Sequence, residues 1–375
     1  MRLDQLSTPL LVLDRPRMLR NIERMRSRLG RLGVGFRPHV KTNKCIEVSR
    51  LLMPFAHGPI TVSTLKEAEQ FFSHGVTDIL YAVGIAPGKL AHVADLRARG
   101  CDLAVILDSR DAARAVSAFC AESGCEIPAL IEIDADDHRG GVKPDEPALL
   151  DVAGSLTGGA SVRGVMTHAG ASYACRSVAA LAAMAEQERA AVVRAAERLR
   201  AAGFPAPIVS VGSTPTATFA EDLSGVTEVR AGVFVFQDLV MAGLGVCAVD
   251  DIALSVLVSV IGHQREKGWI ITDGGWLAVS RDRGTASQPV DQGYGLVLDL
   301  DGRRCDGLVM NDANQEHGII SRRDGGPIDW PRFPIGALLR VLPNHACATA
   351  AQHAAYHVID GSPEVSETWE RFGGW

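Results

Sequence analysis

The chain has 375 residues, which exceeds one ordinary domain and suits two, or a barrel of about 250 residues with a smaller partner. Its composition, 47% hydrophobic against 22% charged, is that of a globular protein with a large core and excludes a disordered chain. A formal net charge of −6, with no basic run, gives no electrostatic reason to expect nucleic acid as a partner.

The N-terminus, the hydropathy and the cysteine spacing together predict a cytoplasmic protein. The most apolar run, Asp251–Gly262, is far shorter than the roughly 20 residues that span a bilayer, so no membrane segment is expected. Residues 1–5 lack the apolar segment of a signal peptide. The eight cysteines are scattered singly, which favours reduced thiols over a disulfide framework.

Between Phe36 and Gln237, short β-rich runs alternate with helical patterns. The predicted strands are 36–40, 60–63, 78–83, 102–107, 129–134, 164–168, 208–212 and 226–236. The helical patterns between them cover 65–74, 89–99, 110–122, 178–202 and a short segment near Thr216. This alternation predicts a parallel (β/α)8 TIM-like barrel, with an open doubly wound sheet as the alternative. No Gly-rich dinucleotide turn follows the first strand, which weighs against a nucleotide-binding sheet.

After about Val246 the pattern changes to strands that follow one another through Gly-containing turns. The predicted strands are 253–261, 269–272, 294–300, 338–342 and 356–359. They predict a second, mostly β, C-terminal domain. We therefore expect the barrel to occupy residues 14–245 and the β-domain to occupy 246–375. A leading strand within residues 1–13 is assigned to the β-domain, although it could join either.

The segment Arg37-Pro38-His39-Val40-Lys41-Thr42 ends the first predicted strand, and barrel enzymes carry their chemistry at this end of the strands. Alternation along a strand would send Arg37, His39 and Lys41 to one face. A lysine shielded by the barrel wall can act as an amine nucleophile. The alternative is an ordinary solvated lysine at the start of a helix.

A second motif closes the seventh predicted strand, where Gly212 precedes the hydroxyls of Ser213 and Thr214. A glycine and two hydroxyls before a helix can form a cradle of N–H and O–H donors for a phosphate, although helix N-caps look the same. Arg230 and Gly232 on the eighth strand offer a second backbone segment nearby. Barrels commonly bind phosphate with the loops after these two strands.

In the β-domain, His345 and Cys347 lie two residues apart on a predicted extended segment, so their side chains would point the same way. Nitrogen and sulfur donors suit a borderline-soft ion such as zinc. Two protein ligands would leave positions open for water and substrate. The alternative is a core cysteine beside a surface histidine.

Further polar groups follow the fifth and sixth predicted strands. Arg139 follows the fifth strand, and His168 and Tyr173 follow the sixth. Each could be a loop polar group and nothing more. Together they would place a cation, an imidazole and a phenol at the carboxyl ends of two successive barrel strands.

The lysine on strand one, the phosphate cradle and the trailing β-domain together resemble the fold-type III pyridoxal-phosphate enzymes, the alanine-racemase-like barrels. Over nearly the whole chain the motifs resemble the branch of zinc-dependent D-serine dehydratases and D-threonine aldolases. Further segments that carry this resemblance are Thr61–Gln70, Ser280–Thr285 and Asn311–Gly318. Cys347 favours the dehydratases, because the aldolases usually have Asp at that ligand position.

The resemblance implies a site. Lys41 would bind pyridoxal 5'-phosphate through its amine and, with His39, act in catalysis. His345 and Cys347 would bind a divalent metal, with zinc expected first and manganese, magnesium or cobalt as alternatives. The remaining cofactor-binding residues would be Arg139, His168, Tyr173, Gly212, Ser213, Thr214, Arg230 and Gly232.

The implied reaction is a dehydration. A D-3-hydroxyamino acid such as D-threo-3-hydroxyaspartate or D-serine would yield a 2-oxo acid and ammonia. Retro-aldol cleavage to glycine and an aldehyde is the alternative, and a non-catalytic pyridoxal-phosphate carrier is the third possibility. Racemisation is disfavoured, since no tyrosine stands in a motif like that of the racemases. The resemblance also implies a homodimer.

Overall fold

The computed structural model describes residues 1–375, which divide into two compact units. These are the barrel unit, Arg24–Gly232 with Gly374–Trp375, and the β-unit, Met1–Glu23 with Val233–Gly373. The chain starts in the β-unit with strand β1 (Leu10–Asp14) and enters the barrel unit within helix α1 (Arg15–Arg31). The division therefore falls after residues 23 and 232, where the sequence predicted boundaries after 13 and 245.

Eight parallel strands form the barrel unit and confirm the predicted (β/α)8 fold. They are β2 (Gly35–Phe36), β3 (Ile60–Val62), β4 (Asp78–Gly84), β5 (Asp102–Leu107), β6 (Ile127–Ile133), β7 (Ala160–Thr167), β8 (Ile208–Val211) and β9 (Glu228–Val229). From β3 to β9 each strand pairs with the next one, and β9 pairs with β2. A parallel bridge between His39 and Thr61 joins the two ends of the sheet. The sheet is thus a closed barrel rather than the open alternative.

Seven helices follow strands of the barrel unit. They are α2 (Ile46–Leu52), α3 (Leu65–Ser73), α4 (Leu90–Ala98), α5 (Arg110–Ser123), α6 (Ala148–Gly154), α7 (Val178–Ala201) and α8 (Thr214–Phe219). Of these, α3, α4, α5, α7 and α8 match the predicted helical patterns, whereas α2 and α6 were not predicted. The hydroxyls of Thr64, Ser109, Ser177 and Ser213 each accept a backbone N–H at a helix start. Such caps satisfy donors that the first helical turn leaves unpaired and contribute about 1 kcal/mol each.

The first barrel strand is shorter than the predicted run 36–40 because Pro38 has no N–H to donate. The backbone beyond it still pairs in part. The N–H of Arg37 donates to Val229 O at 3.0 Å, and the N–H of His39 donates to Ala231 O at 2.9 Å. Lys41 consequently lies in the tight turn Val40–Thr42 that follows the strand, not on the strand itself.

The β-unit is a nine-stranded, largely antiparallel sheet. Its later strands are β10 (Leu254–Gln264), β11 (Trp269–Thr272), β12 (Gly295–Asp299), β13 (Arg304–Ala313), β14 (Gly318–Arg322), β15 (Leu338–Pro343), β16 (Ala355–Ile359) and β17 (Val365–Glu370). Three short helices accompany them, α9 (Leu239–Gly243), α10 (Trp276–Val279) and α11 (Ala346–Ala350). The leading strand β1 pairs antiparallel with β10 and parallel with β16, so it belongs to this sheet.

Strands β13, β14 and β17, helix α1 and the three short helices of the β-unit were not predicted from the sequence. The strands carry charged side chains on an exposed face, which masks their alternation; in β17 only Trp369 is buried. Helix α1 is rich in arginine, but its buried residues Met18, Ile22, Met25 and Leu29 follow helical spacing. None of the helices combines the length and apolar character needed to cross a membrane.

Ion pairs fill the amino-terminal end of the barrel. Arg37 is buried there, with Nε 2.9 Å from both carboxylate oxygens of Glu228 and Nη1 2.7 Å from Asp78 Oδ1. Asp78 and Glu228 are the first residues of β4 and β9. Arg37 therefore pairs with the first residues of two strands, and no ion pair or hydrogen bond joins it to Lys41.

Replacing Arg37 by Met should lower the free energy of unfolding by about 3 kcal/mol, because two carboxylates would lose the buried cation that pairs with them. Chemical denaturation would measure the loss. The double variant Arg37→Met/Glu228→Met should recover part of it, and Arg31→Met, at the exposed end of α1, is the control. A loss below about 1 kcal/mol for Arg37→Met would contradict the assigned role.

Candidate active site

Lys41 extends from the turn at the carboxyl end of the first barrel strand, the end at which barrel enzymes place their chemistry. Its side chain is exposed, and no carboxylate lies within ion-pairing distance of its amine. Lys44, three residues later, differs because its Nζ is 3.0 Å from the buried carboxylate of Glu67. Of these two lysines, Lys41 is therefore the one whose amine is available to a ligand.

Two imidazoles and a guanidinium surround this turn. His39 precedes the turn, and its electrostatic neighbours are Lys41, Arg230 and His168. His39 Nδ1 is buried and has no hydrogen-bond partner. His168, which follows β7, is hydrogen-bonded through Nδ1 to Gly212 O at 2.9 Å. The structure thus brings together four of the residues that the sequence proposed.

Both imidazoles are neutral at pH 7. Burial is the main cause, and the nearby charges of Lys41 and Arg230 add to it. Together these effects lower the pKa of His168 to about 4 and the pKa of His39 well below its usual value. A neutral imidazole can accept a hydrogen bond through one ring nitrogen and donate through the other. The site can therefore place uncharged rings beside a bound ligand.

The turn after β8 is built so that only glycine fits at position 212. Gly212 has φ +143°, and a Cβ there would overlap the carbonyl oxygen of Arg230. Ser213 then caps α8, its hydroxyl accepting the N–H of Thr216 at 3.2 Å. The N–H groups of Gly212 and Ser213 donate to Glu188 and to Thr216 Oγ1, both within the protein. Gly212 thus permits a close backbone contact with Arg230, and its N–H is not the free donor that the sequence suggested.

Gly232, after β9, also lies in close contact with neighbouring backbone. A Cβ at this position would come within 2.8 Å of His39 O and of Thr42 Oγ1. Arg230, two residues earlier, is buried and fixed by two bonds, from Nη1 to Ser210 Oγ at 2.6 Å and from Nη2 to Thr167 O at 2.5 Å. Within the predicted cradle, Gly232 is a position whose N–H has no acceptor in the protein.

Two predicted residues are more peripheral. Arg139 has 64% of its side chain exposed and pairs with Glu132 at 3.3 Å. Tyr173 is 38% exposed in the turn Gly170–Ala174, with its ring centroid 6.4 Å from that of His168. Tyr173 thus borders the His168 ring, while Arg139 lies on a loop that leaves most of its guanidinium in solvent.

A buried carboxylate that the sequence analysis missed supports the turn after β8. Glu188 on α7 is fully buried and accepts the N–H of Gly212 and of Ala169, each at 3.0 Å. It therefore ties the ends of β7 and β8 together behind the predicted cradle. The available signal was its place in the buried stripe of α7, where Leu181, Ala185 and Val192 are apolar at helical spacing.

His345 and Cys347 follow β15 in the β-unit. His345 precedes α11 and Cys347 lies within it, so the predicted extended segment is wrong beyond His345. Their side chains nevertheless interact, and Asp282 Oδ2 is 2.6 Å from His345 Nδ1. Burial alone would lower the pKa of His345, but the hydrogen bonds with Asp282 and Cys347 raise it to about 11.

This arrangement fits a metal ligand pair held by an outer carboxylate. A histidine that binds metal usually donates its other ring N–H to such a carboxylate, which fixes the ring orientation. Asp238, also buried, accepts the N–H of Ala346 at 3.0 Å and so fixes the backbone between the two side chains. No group of three or more His, Cys, Asp or Glu side chains in the chain forms a metal-binding cluster.

Comparison with known protein families matches most of the chain to two domain models. Residues 13–239 match the alanine racemase N-terminal domain, and residues 253–359 match a putative serine dehydratase domain. The chain is 56% identical, over 374 residues, to D-threo-3-hydroxyaspartate dehydratase of Delftia sp. (strain HT23), covering 99% of this chain and 98% of that one. It is 30% identical to D-serine dehydratase of Dictyostelium discoideum, covering 100% and 98%.

Solved structures give the same result. The structure of D-threo-3-hydroxyaspartate dehydratase from Delftia sp. HT23 superposes with a TM-score of 0.97, at 56% identity and 100% coverage of both chains. A cysteine-to-alanine mutant of D-threo-3-hydroxyaspartate dehydratase, solved in the metal-free form, also gives 0.97, at 55% identity and 100% coverage of both. The fold of the chain is thus that of this group.

The cofactor-free protein should lose stability as the pH falls from about 6.5 to 4. Unfolded His168 takes up a proton near pH 6.5, whereas folded His168 resists it down to about pH 4, so the unfolded state binds more protons in this window. His168→Asn should flatten the fall, by up to about 3 kcal/mol at pH 4, in denaturation curves measured along the pH series. The same substitution at the exposed His317 should not. Equal slopes in wild type and His168→Asn would contradict the neutral, buried state of His168.

Proposed function

The chain belongs to the family that joins an alanine racemase N-terminal domain to a serine dehydratase domain, and we propose that it is a pyridoxal-phosphate-dependent dehydratase of D-3-hydroxyamino acids. The favoured substrate is D-threo-3-hydroxyaspartate, as the name of the 56% identical relative states for that enzyme. Loss of the Cα hydrogen and the β-hydroxyl as water leaves an enamine. Its hydrolysis consumes one water and gives a 2-oxo acid, here oxaloacetate, and ammonia.

One observation supports the cofactor above the others. Gly212 and Gly232, where no Cβ fits, lie beside Arg230 and His39, and His39 adjoins the available amine of Lys41. The buried Nδ1 of His39 has no partner within the protein and so suits a hydrogen bond to a bound group. An amine and a hydrogen-bonding ring beside these closely packed glycine turns suit pyridoxal phosphate.

We assign the remaining roles from these contacts. Thr214 and Gly232 would bind the phosphate, with Gly212 and Ser213 shaping the cradle around it. His39, His168 and Tyr173 would lie beside the pyridine ring of the cofactor. Arg230 would lie near the ring nitrogen, and Arg139 would lie at the rim of the site. Arg230 suits that place because it is fixed on two sides. Bound pyridoxal phosphate would supply the electron sink that makes the Cα hydrogen of the substrate acidic.

Lys41 would serve both as the covalent attachment point and as the base. Its Nζ is the group that we assign to the Cα proton, since Lys44 is held by Glu67. The neutral ring of His39 adjoins this amine, and its buried Nδ1 would be available to hydrogen-bond a bound group.

His345 and Cys347 would hold a divalent metal, which would supply a Lewis acid at the departing β-hydroxyl. Nitrogen and sulfur donors favour zinc among the candidate ions. Asp282 would orient the imidazole through Nδ1. A homodimer and a cytoplasmic location complete the proposal, and light scattering of the purified protein would test the first.

The products decide the reaction. We expect the cofactor-loaded enzyme to release ammonia and oxaloacetate from D-threo-3-hydroxyaspartate, and pyruvate from D-serine, measured with coupled dehydrogenases. Lys41→Ala should lower the rate by more than about a thousandfold, while Lys66→Ala, which alters an exposed lysine paired with Glu69, should not. Glycine and an aldehyde as products would establish the aldolase alternative. Full activity of Lys41→Ala would contradict the site.

Removing the metal should stop elimination without unfolding the protein. We expect chelation to reduce turnover by about a hundredfold or more while the melting temperature stays within about 2 °C, because an open two-ligand site serves catalysis rather than folding. Asp282→Asn should weaken metal affinity by about tenfold or more, with Asp301→Asn as the control. Unfolding on chelation would mark a structural metal, and unchanged turnover would contradict a catalytic role.

A further inference from the structure

The β-unit contains a charged cavity, and none of the residues that line it is assigned to the reaction. It has a volume of about 210 Å³, and its charged lining residues are Asp14, Arg17, Arg20, Asp301 and Arg340. A volume of this size would hold about seven water molecules at liquid density. It therefore suits an inorganic oxyanion or a short dicarboxylate rather than a large ligand.

Arg340 is the unusual member of this cavity. It lies on β15 between Leu338 and Leu342, which share its face of the sheet, and its cross-strand neighbours are Leu257 on β10 and Leu298 on β12. Only 4% of Arg340 is exposed. A guanidinium placed on an apolar sheet face is costly unless a counter-charge and hydrogen bonds compensate for its lost hydration.

The protein supplies little of that compensation. Arg340 Nε donates to Ser255 Oγ at 3.0 Å, and no other side-chain hydrogen bond or ion pair of Arg340 is present. Burial is accordingly the main influence on this group and lowers the pKa of Arg340 to about 10. The two terminal nitrogens of this buried cation thus have no acceptor in the protein, and the residue lines the cavity.

Asp14 and Asp299 attract the charge of Arg340, but neither forms an ion pair with it. Asp14 is held by α1 itself, accepting the N–H of Arg17 at 3.0 Å and pairing with its Nε at 3.3 Å. Asp301 pairs with the exposed Arg303 at 3.2 Å. Arg20 is exposed and has no ion-pair or hydrogen-bond partner. The lining therefore keeps an excess of positive charge at Arg340 and Arg20.

We propose that this cavity binds a small oxyanion, phosphate or a short dicarboxylate, between the guanidinium groups of Arg340, Arg17 and Arg20. Guanidinium groups present paired N–H donors that match the oxygens of phosphate and carboxylate. The anion would supply the counter-charge that Arg340 lacks. Binding would stabilise the β-unit, since a ligand that binds only the folded state raises its stability.

Titration of the cofactor-loaded enzyme with inorganic phosphate tests the site, because the loaded enzyme has its barrel phosphate cradle filled. We expect one phosphate per chain by calorimetry and a rise in melting temperature of about 4 °C at saturation, beyond that given by sodium chloride at equal ionic strength. A parallel titration with succinate distinguishes a phosphate site from a dicarboxylate site. A rise in melting temperature and a calorimetric signal with either anion, both lost in Arg340→Met, support the site.

Matched variants locate the response. Arg340→Met removes the buried charge while keeping an apolar side chain of similar length, so without anion it should be at least as stable as wild type and should no longer respond to phosphate. Arg20→Ser should weaken binding about threefold, and because Arg20 is exposed and unpartnered it does not endanger folding. Arg31→Ser makes the same charge change on α1 outside the cavity and should leave binding unchanged.

Two results would overturn the proposal. One is a wild-type enzyme whose melting temperature and calorimetric signal do not respond to either anion beyond the chloride control, which would mean that water alone fills the cavity. The other is a response that Arg340→Met and Arg20→Ser retain in full, which would place the anion elsewhere. If Arg340→Met does not fold, the comparison of Arg20→Ser with Arg31→Ser decides the matter.

Discussion

The close contact between Gly212 and the backbone of Arg230 is the constraint on which the barrel site depends. Three neighbours hold the Gly212 peptide: the N–H of Arg230 donates to Val211 O at 2.7 Å, Glu188 accepts the Gly212 N–H, and the His168 ring bonds its carbonyl. Each partner in turn positions another part of the site. Glu188 holds the end of β7, and Arg230 carries the guanidinium that reaches Ser210. A side chain at 212 would separate all of them.

The polar groups around this contact are buried and mostly satisfied from within the protein. A buried carboxylate at Glu188 and a buried guanidinium at Arg230 would be costly in isolation, but backbone and hydroxyl partners compensate for much of their lost hydration. His39 is the exception, with a buried nitrogen that has no partner. The supporting groups of the site are thus held by hydrogen bonds within the protein, whereas the buried nitrogen of His39 is left available to a ligand.

The sequence predicted features that local chemistry determines. Five of the barrel helices followed from helical patterns, and most strands followed from β-rich runs between turns. Lys41, the glycines at 212 and 232, and the His345–Cys347 pair were proposed because few residue types suit such positions. The partners of Arg37 were not predicted, since Asp78 and Glu228 lie 41 and 191 residues away in the sequence. The contact of Asp282 with His345 was missed for the same reason, because a hydrogen bond across the fold leaves no local pattern. Glu188 was missed although it lies at helical spacing in the buried stripe of α7.

The ion pairs at the amino-terminal end of the barrel also determine how molecules can reach its interior. The cavity among Arg37, Asp78, Arg163 and Glu228 measures only about 10 Å³, close to the smallest space that holds one water. With that end filled by ion pairs, solutes would reach Lys41 from the carboxyl end of the strands. Substrate, the water consumed in hydrolysis, ammonia and the 2-oxo acid would then share one opening, and products would have to leave before the next substrate could enter. The charged layer that stabilises the fold would thus also make product release and substrate entry sequential.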